Sequence, residues 1–167
     1  MALVNAASHE RPPRRAVVDQ RGGNIALDLF VLSQHLGRFL DHAFDGSGLT
    51  PSLYAVYSQL AQAPRTPRQL GDVLGVRPPT LSGYLATMDK RGHLTRTPHQ
   101  SDGRSTWLEL TGAGREQWQN GRVRMRFAVR ALNAQLGGAD AVQALRSRLA
   151  ELDDAVLAAA ERLVPRA

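Results

Sequence analysis

The sequence predicts a mainly α-helical fold with one short β-hairpin. Three observations carry that reading. Apolar residues recur at steps of three and four through most of the chain beyond Asn24. Threonine followed by proline, at Thr50-Pro51 and Thr66-Pro67, marks helix starts. Between Gly92 and Thr111 the period falls to two, as in strands. The chain has 167 residues, 43% of them hydrophobic, which suits a single domain with a real core.

The first 23 residues read as a basic arm containing Glu10-Arg11-Pro12-Pro13-Arg14-Arg15 and little periodicity. Such an arm can add phosphate contacts, strap a partner, or simply be a solvated tail. Asn24 can cap a first helix, over 24–48, whose stripe is Ile25, Leu29, Leu32, Leu36, Phe39 and Ala43. Leu27, Phe30, Val31 and Leu40 widen the stripe, so burial on more than one side is expected. Asp45-Gly46-Ser47-Gly48 ends it.

A second helix opens at Thr50-Pro51, with Leu53, Val56, Tyr57 and Leu60 inward, and stops at Pro64. Thr66-Pro67-Arg68-Gln69 then combines a first-turn proline with a capping box, because Gln69 can reach back to Thr66. Leu70, Val73 and Leu74 form the apolar face of this third helix, and Gly75 suits its C-terminal cap. After Val76 and Arg77, Pro78-Pro79 opens a fourth helix with Leu81, Leu85 and Met88 inward, closing at Arg91-Gly92. Two short capped helices around a tight glycine turn form a helix-turn-helix. Leu94–Thr97 and Thr106–Leu110 are the strands of a hairpin beyond it, placed as a wing. Between them Pro98-His99-Gln100-Ser101-Asp102-Gly103-Arg104 is polar, with Gly103 at the tip. The winged lobe therefore spans 49–111.

Thr111 caps a long fifth helix through Trp118, Met125, Val129, Leu132 and Leu136, broken by Gly137-Gly138. The last helix carries Val142, Leu145, Leu149, Leu152, Val156 and Leu163, a seam for packing another helix. Residues 112–167 thus form a C-terminal helical region.

The formal net charge is +6, and Lys90 is the only lysine among the 21 basic residues. A basic balance favours a polyanionic partner. Cysteine is absent, which excludes disulfides, thiolate metal sites and thiol redox sensing. No secretory leader pattern and no stretch of about 18 apolar residues is present, so a cytoplasmic protein without a membrane partner is expected.

Ser101-Asp102-Gly103-Arg104-Ser105, the strand Thr106–Leu110, and Thr111-Gly112-Ala113-Gly114 resemble the wing of the MarR family of bacterial regulators. Leu49-Thr50-Pro51, Leu74-Gly75-Val76 and Pro79-Thr80-Leu81-Ser82 are similar to the same family. The resemblance covers Leu49 to Gly114; Arg77-Pro78-Pro79 has an extra proline that shifts where the fourth helix starts. It implies a homodimer whose first, fifth and sixth helices interdigitate, two winged lobes below, and a double-stranded operator as partner. It also implies a ligand cleft between body and lobe.

In this frame the fourth helix enters the major groove. The face opposite its core residues presents Pro79, Thr80, Ser82, Gly83, Tyr84 and Thr87, a hydroxyl-rich surface suited to modest base discrimination. Arg77 is a guanine or phosphate contact. By resemblance Arg104 reaches the minor groove or flanking phosphates, while Asp102 pairs with an arginine to shape the wing. Arg96 and Lys90-Arg91 are either phosphate clamps or lobe salt bridges. The competing reading is a winged-helix module that binds protein rather than DNA.

No catalytic motif is present, and no cofactor or metal is expected. Gly112-Ala113-Gly114 lacks the third glycine of a dinucleotide fingerprint, since Gln117 stands there. His35 and His42 are seven apart without a matched carboxylate, and Asp41 and Asp45 suit capping better than cation binding. The cleft implied by the resemblance would draw Phe39, His42, Tyr54, Tyr57, Arg122 and Phe127 around a small aromatic or anionic inducer. The alternative is that Tyr57 and Phe39 fill the core.

Overall fold

A computed structural model describes residues 23–98 and 106–163. The elements run α1 (Ile25–Phe44), α2 (Pro51–Gln62), α3 (Pro67–Leu74), α4 (Pro78–Lys90), β1 (Leu94–Pro98), β2 (Thr106–Leu110), α5 (Gly112–Gln135) and α6 (Ala139–Leu163). The basic arm, Asp102 and Arg104 lie outside the described residues.

Side-chain caps start the helices where the sequence places them. Asn24 accepts from the Ala26 amide, Thr50 from Leu53 and Thr111 from Gly114. Thr66 and Gln69 form the full capping box of α3. The antiparallel strands pair Leu94 with Leu110 and Pro98 with Thr106. Pro98 therefore belongs to β1 rather than to the loop; on an outer strand its missing N–H costs no ladder bond. Arg65 adds one rung on the other side of β2, with its N–H and carbonyl both bonded to Leu108.

One core sits inside the lobe. Val56, Tyr57 and Leu60 of α2, Leu70 of α3, Met88 of α4 and Leu108 of β2 are essentially sealed from solvent. Phe44, Leu49, Leu53, Leu81, Leu85 and Leu110 complete it. Each large side chain so buried contributes roughly 1.5–3 kcal/mol. Helix α5 leans on this core through small residues, because Gly114, Gly121 and Ala128, seven apart, are its buried positions. A Cβ at Gly121 would stand 2.6 Å from the Tyr54 ring, so only glycine permits the observed approach to α2.

Two expectations about burial change. On α3, Leu70 is buried and Leu74 half-buried, but Val73 is half exposed because it points away from α2 and α4. On α1 only Phe44 is buried. Ile25, Leu27, Phe30 and Leu32 are each more than half exposed, and α6 has no buried residue. Among the described residues nothing fully covers those stripes.

Candidate nucleic-acid interface

The interface is built from the α3–α4 turn outward. Gly75 takes φ +61°, a conformation that an L side chain resists, and ends α3 with its N–H on the Asp72 carbonyl. The Val76 amide bonds the Gly71 carbonyl at 3.1 Å. A Cβ on Gly71 would sit 3.4 Å from the Val76 carbonyl oxygen and 3.8 Å from Leu81, so glycine there lets the turn fold close against α3. Helix α4 begins at Pro78, with prolines at both of its first positions and no side-chain cap from Arg77. Neither proline has an N–H, so within that first turn only Thr80 keeps an amide hydrogen to offer a partner.

Leu81, Leu85 and Met88 anchor α4 in the core. That fixes the rest of the helix: Arg77, Pro79, Thr80, Ser82 and Gly83 are exposed, on a surface with open space around Gly83. Tyr84 is half-buried against the core and Thr87 is half-buried too. The Thr87 hydroxyl donates to the Gly83 carbonyl at 2.9 Å, which leaves only its lone pairs for a base edge. The outward face is thus concentrated in the first two turns of α4.

Arg96 on β1 makes a forked contact with Asp89 on α4, at 2.6 and 3.4 Å. Of its two readings, the structure shows the lobe salt bridge. Both side chains are about two-fifths exposed, which limits the pair's stabilisation to a fraction of a kcal/mol. Its geometric effect is to tie the wing to the last turn of α4. Asp89 carries no sequence motif and is found only by its spatial partner. Lys90 is exposed in the last turn of α4, while Arg91 donates to the Gly48 carbonyl at 2.9 Å.

Behind the interface, α2, the α4–β1 turn and the start of α5 meet at His93. Its Nδ1 lies 2.6 Å from the Tyr57 hydroxyl, with the rings edge to face at 5.8 Å. The His93 amide bonds Met88, its carbonyl accepts from Thr111, and that carbonyl closes against Gly114. The Thr111 hydroxyl bonds the Gly92 carbonyl at 2.8 Å. Burial, and then the Arg91 charge, lower the His93 pKa from the ordinary imidazole value. Burial raises that of Tyr57, opposed by Arg91. The sequence reading missed His93, because a histidine after a glycine is not a motif.

The six inducer-pocket residues divide between core and surface. Tyr57 is sealed inside the lobe and Tyr54 packs on Phe44, ring centres 5.1 Å apart. Phe39 and His42 are exposed on α1, and Arg122 lies over the Trp118 ring at 5.4 Å. Phe127 is 73% exposed and so lines no common wall with Tyr57. Helix periodicity explains the split: Phe127 stands one residue from buried Ala128, turned about 100° around α5. Among the described residues no cluster of three or more His, Asp or Glu is placed to hold a metal ion. Among the same residues no helix is long and apolar enough to cross a membrane.

Comparison with known proteins places this geometry. Residues 47–105 match the model of the MarR family. The transcriptional repressor YetL of Bacillus subtilis strain 168 is 27% identical over 103 residues, 60% of this chain. That match spans 62% of YetL, less than two thirds of its length. A probable transcriptional regulator from Pseudomonas aeruginosa is 28% identical with TM-score 0.69, covering 77% of this chain and 96% of that one. The repressor CouR of Rhodococcus jostii RHA1, bound to a 23-mer DNA duplex, is 26% identical with TM-score 0.70, covering 78% and 92%. All three are named as regulators of transcription, and none as an enzyme.

Proposed function

We propose that this chain, whose residues 47–105 match the MarR family of transcription regulators, is a homodimeric winged helix-turn-helix repressor that reads a pseudo-palindromic operator and answers to a small ligand. The observation that carries DNA reading is the outward face of α4: Arg77, Thr80, Ser82 and Gly83 are exposed while Leu81, Leu85 and Met88 hold the helix rigidly. A helix anchored on one side and polar on the other can enter a major groove without disturbing its own core. The wing, carrying Arg104 and Asp102 outside the described residues, would flank it. The CouR structure supports the reading, since that relative is seen on DNA.

Dimerisation is supported by the exposed apolar residues of α1, α5 and α6. In this reading, 24–48 and 112–167 form the dimer body and 49–111 the DNA-binding lobe. Two-fold symmetry then sets half-site centres about one helical turn, roughly 10 bp, apart. Ligand response rests on Phe39 and His42, exposed at the α1 end of the body, with the Arg122–Trp118 stack on α5. A cation and aromatic surfaces suit a small aromatic acid.

The test is selection of bound genomic fragments, followed by titration at several salt concentrations with and without an aromatic-acid panel. Retention of a two-fold-symmetric site with a steep salt slope is expected. Equal, weak binding to every fragment would favour the alternative, a winged-helix module whose partner is a protein.

A further inference from the structure

The base-reading face of α4 lies in its first two turns, yet the hydrogen-bonded turn at its other end decides how the helix sits. Arg91, Gly92 and His93 leave α4 with Gly92 at φ +68° and run directly into β1. The turn is held by three elements at once. The α1–α2 loop takes Arg91 through the Gly48 carbonyl, and α2 takes His93 through the Tyr57 hydroxyl. The start of α5 takes Gly92 and His93 through Thr111. Of these links, the Tyr57–His93 bond alone joins two side chains, one of them titratable near neutral pH.

We propose that His93 is a positioning residue for DNA binding, its neutral ring accepting the Tyr57 hydroxyl and so locking recognition helix and wing onto α2 in a way that acid releases. The proposal rests on the DNA-binding reading above. The proton assignment follows from the neutral ring, which has one bare nitrogen: a bare Nδ1 accepts the phenol hydrogen across 2.6 Å, and the ring proton belongs on Nε2. When the ring takes a second proton, Nδ1 becomes a donor facing a donor. A new positive charge also arrives beside Arg91.

The charged neighbour that bears on His93 comes from its own turn, Arg91. Helix α2 contributes Tyr57, and α5 contributes the uncharged Thr111 and Gly114, while the adjacent Arg115 is exposed. None is a carboxylate that would welcome an imidazolium. The His93 pKa is lowered from 6.5, so the neutral form belongs to the locked state. The lock is therefore whole at pH 7. Its contribution falls as pH drops through 6.5, where the released state takes its proton first, and is gone below the locked-state pKa.

The test uses the full chain and a DNA fragment that it selects itself, with affinity measured from about pH 7.5 to about pH 5.5. Three proteins are compared: parent, His93→Gln and Tyr57→Phe. Glutamine keeps an acceptor for the phenol but does not titrate, and phenylalanine removes only the hydroxyl. The four other histidines titrate in all three, so differences between profiles belong to the lock. The parent should lose about fivefold more affinity on acidification than His93→Gln, the size expected for one lost hydrogen bond. Tyr57→Phe should bind about fivefold more weakly at neutral pH and show no added acid loss. Superimposable profiles would overturn the proposal. Nitrogen NMR of the His93 ring decides the lock independently of DNA. It should show Nδ1 unprotonated at neutral pH and shifted in Tyr57→Phe; a protonated Nδ1, or an unchanged ring, overturns it. If no fragment binds at any pH, the DNA-binding reading falls and the positioning role for DNA falls with it. The NMR result then says whether the Tyr57–His93 lock itself exists.

Discussion

The winged lobe and the helices that flank it are made from similar residues but solve burial differently. The lobe closes on itself: α2, α3, α4 and β2 surround Tyr57, Leu60, Leu70 and Leu108, and every one of those side chains is sealed. The flanking helices do not. Leucines 145 and 149 on α6 are 42% and 46% exposed, and Phe30 on α1 is 60% exposed. Scattered apolar residues on a surface need no explanation, but stripes running along two helices do. The lesson is that the lobe seals its apolar side chains within one core, whereas the flanking helices leave apolar stripes that no other described residue fully covers.

The largest expected effect strikes the body. Leu145→Arg would place an unpaired charge in the proposed subunit seam and weaken association by about 3–5 kcal/mol. Light scattering across a dilution series should show the parent as a dimer at micromolar concentration and this variant as a monomer. A monomeric parent would break the comparison outright, since the stripes would then be ordinary surface. In the lobe, Leu108→Ala should cost about 2–5 kcal/mol of unfolding free energy, read by denaturant titration, because the sealed site leaves a cavity. The same substitution at Leu149 should cost far less in a dilute monomer than in the dimer, which sharpens the contrast.

A smaller effect separates binding from folding. Arg104→Ala should lose about 1–3 kcal/mol of operator affinity, with a shallower salt slope and an unchanged melting temperature. Titration at several salt concentrations checks it, and equal affinity at every salt would remove the wing from the interface. Smallest is Thr66→Ala, which removes the α3 capping box and should cost about 1 kcal/mol of lobe stability while leaving dimerisation untouched. A drop in dimer affinity there would mean that lobe and flanking helices are more tightly coupled than their different burial suggests.

Much of this architecture was legible in advance because it is local. Thr50, Thr66 and Thr111 each take the amide three residues on, and Gly75 at positive φ ends a helix, so the boundaries of α2, α3 and α5 follow from neighbours in sequence. The core side of α4 was equally legible, since Leu81, Leu85 and Met88 repeat at helical spacing. That spacing made its opposite face a surface.

What a period cannot carry is the identity of the partner surface. The α1 stripe predicts burial, but among the described residues α5 and α2 cover only part of it. Arg96 had two partners of equal merit until β1 was paired with β2 and brought it to Asp89, seven residues away. Tyr57 and Phe127 were both candidates for one aromatic wall. Packing put the first inside and left the second in solvent, because buried Gly121 and Ala128 turn a different face of α5 toward α2. His93 had no signal at all. Its meaning comes from Tyr57, 36 residues earlier in the chain, and from Arg91 and Thr111 beside it. Caps, turns and periods depend on atoms a few residues apart and are therefore written into the sequence. Ion pairs, sealed rings and buried hydrogen bonds depend on which distant segments the tertiary structure brings within about 3 Å, and only that structure decides them.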